Sequence, residues 1–308
     1  MLQFCTMASV KNYLSLIKFS HTIFALPFAL IGFFVALSST YFPPLNINNS
    51  IGQEGAQINF PWKIFLLVLV CMVTARSAAM AFNRYLDRHF DARNPRTAIR
   101  EIPAGVIGKG SALRFTIFNG ALFIASTWFI NPLCFALSPV ALFVILFYSY
   151  TKRFTALCHL VLGLGLSLAP IGSYLAVAGQ FALLPVLFSF TVLFWVSGFD
   201  IIFSLQDEAF DRSQDLYSIP VALGTVKALY VSRLLHALSA FCVVAAGLLG
   251  GFGWLYWIGF TGFAGMLVYQ HSIVKPTDLS RVNIAFMTAN GIASVVFAVF
   301  VIADLFLR

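Results

Sequence analysis

Long runs of apolar residues, each about 20 positions, alternate with short polar breaks along nearly the whole chain. Read as membrane spans, they fall at roughly 19–38, 62–83, 112–130, 132–150, 157–178, 182–205, 227–250, 252–271 and 284–306. The pattern predicts an all-α, polytopic membrane protein with nine transmembrane helices. The chain reads as one integral-membrane domain over residues 1–308. Its two longest charged breaks, at about 83–111 and 200–226, are rich in aspartate. Pro27, Pro132, Pro170 and Pro185 fall in or beside spans, where neighbouring helices satisfy the freed backbone groups. The apolar run from Phe19 is longer than a signal-peptide core and reads as a retained first span. The uncharged segment from Tyr41 to Pro61 reads as a linker without chemistry.

Composition supports this layout. Of 308 residues 60% are hydrophobic, only 10% are charged, and the mean hydropathy is +0.90. A soluble chain carries about a quarter charged residues. Cys5, Cys71, Cys134, Cys158 and Cys242 show no paired spacing and read as inert thiols in apolar surroundings.

The net charge of +8 changes the picture only once it is mapped. With the N-terminus inside, 16 of the 19 Lys and Arg residues fall on the cytoplasmic side. Lys63 and Arg308 lie opposite, and Arg76 lies within the second span. The excess therefore reports orientation, and no motif points to nucleic acid. The pattern suits a bacterial inner membrane, with the N-terminus cytoplasmic, and leaves an organelle membrane open.

Chemistry concentrates at two places on that side. Asn83, Asp87 and Asp91 recur every four residues, so one helical face carries all three. Asp200, Asp207 and Asp211, spaced seven and four, form a second acidic face four spans later. A lone aspartate at a membrane boundary is ordinarily a solvated helix end. Two registered sets on the same side point to a function. Facing one another, they need a cationic partner, and Mg²⁺ with a bridging substrate diphosphate fits hard oxygen donors. Asn83, Asp87, Asp91, Asp207 and Asp211 are the expected metal ligands, with Asp200 in support. Arg76, Arg84, Arg88, Arg96, Arg100, Lys152 and Arg153 surround them. Arg84, Arg88, Lys152 and Arg153 are expected to grip diphosphate oxygens. Arg76 shares the Asn83 face two turns earlier and is expected to pair with an acid or a ligand. His21 lies at the inner end of the first span; His89, His159, His236 and His271 show no metal-ligand spacing.

These residues carry a resemblance. Asn83-x-x-x-Asp87-x-x-x-Asp91, followed by Asn94-Pro95-Arg96-Thr97 and Arg100-Glu101-Ile102-Pro103-x-Gly105, resembles the first signature of the UbiA superfamily of intramembrane aromatic prenyltransferases. Asp200-x-x-Phe203-x-x-x-Asp207-x-x-x-Asp211 resembles the second, with Phe203 where that pattern commonly has Tyr. Tyr148 to Thr155 is similar to the family's Tyr/Lys-Arg/Thr segment, and Phe19 to Phe28 to the opening of its 4-hydroxybenzoate branch. The resemblance implies a helical bundle around a central cavity, with two Mg²⁺ ions holding a polyprenyl diphosphate between the cytoplasmic aspartate-rich loops. It implies transfer of the prenyl group to an aromatic acceptor in quinone biosynthesis. A menaquinone-pathway acid is an alternative acceptor, and Arg76 or Arg100 is a candidate partner for an acceptor carboxylate. A transporter using the acids as an ion path is the competing class, but both clusters lie on one side in a parallel duplication, unlike the midplane sites of inverted-repeat transporters. Chain length of the prenyl donor and oligomeric state are left open.

Overall fold

The computed structural model describes residues 10–18, 24–41 and 60–307. A short helix α1 (Val10–Leu16) precedes α2 (Leu26–Tyr41), α3 (Trp62–Arg93), α4 (Lys109–Trp128), α5 (Pro132–Thr151) and α6 (Cys158–Ala178). There follow α7 (Leu183–Ser204), α8 (Glu208–Ser213), α9 (Ile219–Leu223), α10 (Thr225–Leu249), α11 (Trp254–Ile273) and α12 (Asn290–Leu307). No β-strand occurs among the described residues. Within the described residues, each apolar run read from the sequence coincides with a helix. Six of the described helices are long and apolar enough to cross a membrane. His21 and most of the Tyr41–Pro61 segment lie outside the described residues, as does Cys5.

Local chemistry sets the helix ends. Asn131 accepts the Cys134 N–H at 2.8 Å and Pro132 follows it, so α5 starts on a capped, pre-set turn. Gly179 takes a left-handed backbone (φ +65°) that closes α6. The start of α11 is capped from a neighbour: the Gly253 N–H donates to Asp304 Oδ2 of α12 at 2.8 Å. A one-turn π-helix at Ile284–Ala289 leads into α12, and the Asn290 Nδ2 donates to the freed carbonyls of Ala285 and Phe286.

The helices α2, α6, α7, α10, α11 and α12 pack in sequence as a closed ring, with α3, α4 and α5 attached through α5 and α6. Aromatic rings fill the ring's interior: Phe28 packs on Trp195 at 5.3 Å and on Phe297 at 5.9 Å between centroids. Small residues let helices meet closely. A Cβ on Gly163 of α6 would stand 2.5 Å from the Leu193 carbonyl oxygen of α7, so only glycine permits that approach. Ser197 Oγ of α7 donates across it to the His159 carbonyl at 3.1 Å.

Two boundaries differ from the sequence reading, and both concern the site. The second span was expected to end near residue 83, but α3 continues to Arg93, because charged residues form helix readily outside an apolar environment. The first acidic face is therefore an unbroken extension of a spanning helix. The second acidic face is not continuous: α7 stops at Ser204, a 3₁₀ turn covers Leu205–Asp207, and α8 restarts at Glu208. That turn re-aims Asp207 and Asp211 relative to Asp200.

Candidate active site

The two acidic faces and the loop after α5 converge on a polar cavity of about 640 Å³. Asn83, Asp87 and Asp91 reach it from α3, Asp200 from α7, and Asp207 and Asp211 from the turn and α8. Asn83 Nδ2 donates to Asp87 Oδ2 at 3.0 Å, so the first two members of the face order each other.

Four of the five aspartates in the cavity pair with an arginine or a lysine, and the fifth pairs with a histidine. Asp91 Oδ1 meets Arg100 Nη1 at 2.5 Å, and Asp87 Oδ1 meets Arg153 Nη2 at 3.3 Å. Arg96 grips Asp207 with two nitrogens, Nε lying 3.0 Å from Oδ1 and Nη2 bonding Oδ2. Asn94 Nδ2 adds a bond to the same Asp207 oxygen at 3.2 Å and so stitches the first acidic loop to the second. Lys152 Nζ lies 2.7 Å from Asp211 Oδ2. Burial works against the Lys152 ammonium, but Asp211 beside it prevails and holds its pKa above the ordinary value, so the lysine is cationic at neutral pH. His159 Nδ1 lies 2.6 Å from Asp200 Oδ2.

The structure brings together nearly all of the residues singled out in the sequence. Arg76, Arg84, Lys152 and Arg153 all line the cavity. Arg88 does not: its guanidinium lies over the Tyr85 ring at 4.8 Å and donates to the Tyr85 carbonyl, outside the cavity wall. Arg76 was expected to pair with an acid or a ligand, and it forms no ion pair among the described residues. Its Nε and that of Arg84 are buried without a hydrogen-bond partner. Glu208, adjacent to the second acidic face, turns away to Arg212 and Thr225. Three residues that bond to the acidic faces were not among those expected to hold the metal or the diphosphate. Arg96 and Arg100 stood among the surrounding cations, yet they make direct bonds to the acidic faces. His159 carried no signal because its partner lies 41 residues away on another helix.

The fit of this wall to a divalent cation follows from its donors. No three acidic, His or Cys side chains converge as a ready-made metal site among the described residues. The wall nevertheless presents hard oxygen donors from both faces, and Asp91 Oδ2 is buried without a hydrogen-bond partner. Unsatisfied buried carboxylate oxygen is costly, and a hard cation with a substrate phosphate offsets that cost. The residues present fit Mg²⁺, provided the arginine and lysine partners move from carboxylate to phosphate.

The cavity adjoins a second, apolar one of about 370 Å³, and Arg76, Met80, Tyr148, Leu162 and Leu166 line both. A charged head and a greasy tail therefore have neighbouring compartments.

Comparison with known proteins identifies the family. The model of the UbiA prenyltransferase family matches residues 55–292. The chain belongs to the UbiA prenyltransferase family. As a UbiA-family member it is a prenyltransferase embedded in a membrane by its helices. Its relatives include the 4-hydroxybenzoate octaprenyltransferase of Paraburkholderia phymatum, 30% identical over 237 residues, covering 76% of this chain and 82% of that one. The enzyme of the same name from Nitrosospira multiformis is 29% identical over 238 residues, covering 76% and 81%. Among solved structures, a UbiA homologue from Aeropyrum pernix K1 superposes with a TM-score of 0.75 at 28% identity, covering 93% of this chain and 97% of that one. A homologue from Archaeoglobus fulgidus bound to GPP and Mg²⁺ has a TM-score of 0.70 at 19% identity, covering 96% and 99%, and shares the fold.

Proposed function

We propose that this UbiA-family enzyme transfers a polyprenyl group from polyprenyl diphosphate to an aromatic acid of the 4-hydroxybenzoate kind, in quinone biosynthesis and with Mg²⁺. One observation carries this reading. Two acidic faces and a cationic set line one polar cavity, which adjoins an apolar cavity through Arg76 and Tyr148. The names of the curated relatives support the acceptor class. The solved homologue carrying GPP and Mg²⁺ supports the donor and the metal.

Asn83, Asp87, Asp91, Asp207 and Asp211 would hold Mg²⁺, with Asp200 beside them. The chemistry Mg²⁺ supplies when bound is neutralisation of diphosphate charge, which makes that group a better leaving group. Lys152, Arg153 and Arg84 bind the diphosphate oxygens as fixed charges, and Arg96 and Arg100 exchange a carboxylate for a phosphate oxygen as the donor enters. The allylic carbon–oxygen bond breaks as these charges stabilise the leaving group. Arg76, buried where the cavities meet, holds the acceptor carboxylate and sets the ring beside the allylic carbon. The apolar cavity receives the prenyl tail and excludes water from the cation. The positive charge distribution supports a cytoplasmic N-terminus in an inner membrane, so the aromatic acid and the diphosphate head of the donor would enter the site from the cytoplasmic side.

The test uses purified protein in nanodiscs with geranyl or farnesyl diphosphate and 4-hydroxybenzoate. Diphosphate release with equimolar prenylated acid, abolished by EDTA, is expected. Release without a prenylated acid would remove the acceptor assignment, and no release with any donor would remove the donor site.

A further inference from the structure

Of the five aspartates lining the polar cavity, four are held by an arginine or a lysine, and Asp200 alone is held by a histidine. Arginine and lysine bring a full positive charge that favours the carboxylate anion. A neutral histidine orients a carboxylate through one hydrogen bond without adding that charge. The pair is built where α6 and α7 approach closely. Gly163 admits Leu193 of α7, Ser197 bonds the His159 carbonyl, and one turn further along α7 Asp200 meets the imidazole. His159 is 2% exposed, whereas Asp200 is 23% exposed, on the cavity side.

The hydrogen bonds fix the imidazole's tautomer. Nε2 accepts the Ile219 backbone N–H at 3.4 Å, so Nδ1 carries the hydrogen and donates to Asp200 Oδ2 at 2.6 Å. That leaves Asp200 Oδ1 for the cavity. Prenylation of an aromatic ring ends with a proton to be removed, and a base must stand beside the ring. We propose that Asp200 takes the ring proton and that His159 is the positioning residue that holds it for this step.

The step balances. The donor's carbon–oxygen bond breaks with its electron pair leaving on the diphosphate. A π pair of the ring forms the new carbon–carbon bond. The proton on that ring carbon passes to Asp200 Oδ1, its bonding pair restores aromaticity, and the carboxylic acid later returns the proton to water. This inference rests on the transfer to an aromatic acid proposed above.

Substitutions of His159 separate this role from a packing role, because its two nitrogens do different things. Asparagine places an amide N–H where Nδ1 stands, and glutamine reaches the position of Nε2 beside Ile219. Full-length His159→Asn, His159→Gln and His159→Ala proteins are compared in nanodiscs, using 4-hydroxybenzoate with and without deuterium at the ring positions beside the phenol. With His159→Asn, kcat stays within about tenfold of the parent; with Gln and Ala it falls about 100-fold, as for loss of a positioned base. Donor KM changes by less than about twofold in all three, since no diphosphate contact is lost. A primary isotope effect appears with Gln and Ala as proton removal becomes rate-limiting. Glutamine rescuing better than asparagine, or lowered turnover with no isotope effect in either, would overturn the assignment and leave a packing role. A parent protein that releases diphosphate but prenylates no aromatic acid would overturn the acceptor reading and this inference with it.

Discussion

Lys152 and Arg153 are consecutive in the chain, yet they bond to opposite acidic faces: Lys152 to Asp211 at 2.7 Å and Arg153 to Asp87 at 3.3 Å. The loop after α5 is thus a cationic bridge between faces separated by more than a hundred residues. In the proposed function, a diphosphate entering between them meets both cations at once. Replacing Lys152 with alanine is expected to raise the KM for the donor at least about tenfold, the scale of one charged hydrogen bond. Arg153→Ala should act in the same direction. Steady-state kinetics over donor concentration check this, and an unchanged KM in both would remove the loop from the donor site.

Asp87→Ala and Asp207→Ala are each expected to lower turnover by at least about 100-fold, the usual scale for removing a group that stabilises developing charge. Both proteins should still insert and remain folded, since neither side chain contributes to the aromatic core between α2, α7, α11 and α12. Activity and size-exclusion profile in detergent are measured together. Near-normal turnover in either variant would contradict the two-face site.

Arg84 and Arg88 lie four residues apart and were indistinguishable as candidates in the sequence. Arg84 lines the cavity with an unpartnered Nε, whereas Arg88 stacks on Tyr85 outside it. Arg88→Ala is expected to keep turnover within about twofold, the range of surface changes away from a site. Arg84→Ala should lose at least about tenfold. Parallel assays of the two variants distinguish them.

These comparisons show what the sequence made legible. Helix positions were readable because apolar runs of membrane length have few alternatives, and the Asn83, Asp87 and Asp91 face because one helix carries all three. The apolar span itself ended near residue 83, short of the end of α3 at Arg93, because hydropathy ends where lipid ends, while helical hydrogen bonding does not. The break at Leu205–Asp207 is a backbone event without a proline or glycine to announce it. The Asp200–His159 and Asp207–Arg96 pairs depend on which helices become neighbours, and spacing along one helix carries no such information.

Asp304 shows the same limit in a structural role. Its two oxygens accept the Gly253 and Tyr256 N–H groups and cap α11 from a different helix. Asp304→Ala is expected to destabilise the protein by about 1–2 kcal/mol, the cost of losing a side-chain cap. Thermal unfolding in detergent should show a lower midpoint, with the donor KM unchanged in the protein that remains folded.

Metal-dependent coupling of the two half-reactions tests the central claim most directly. Diphosphate release and prenylated 4-hydroxybenzoate are quantified together from the protein in nanodiscs, with geranyl diphosphate and with Mg²⁺ or EDTA. Equal amounts of both products with Mg²⁺, and neither with EDTA, are predicted. Diphosphate release that persists in EDTA, or the absence of any release with Mg²⁺, would contradict a site in which the two aspartate faces hold a metal-bound prenyl diphosphate.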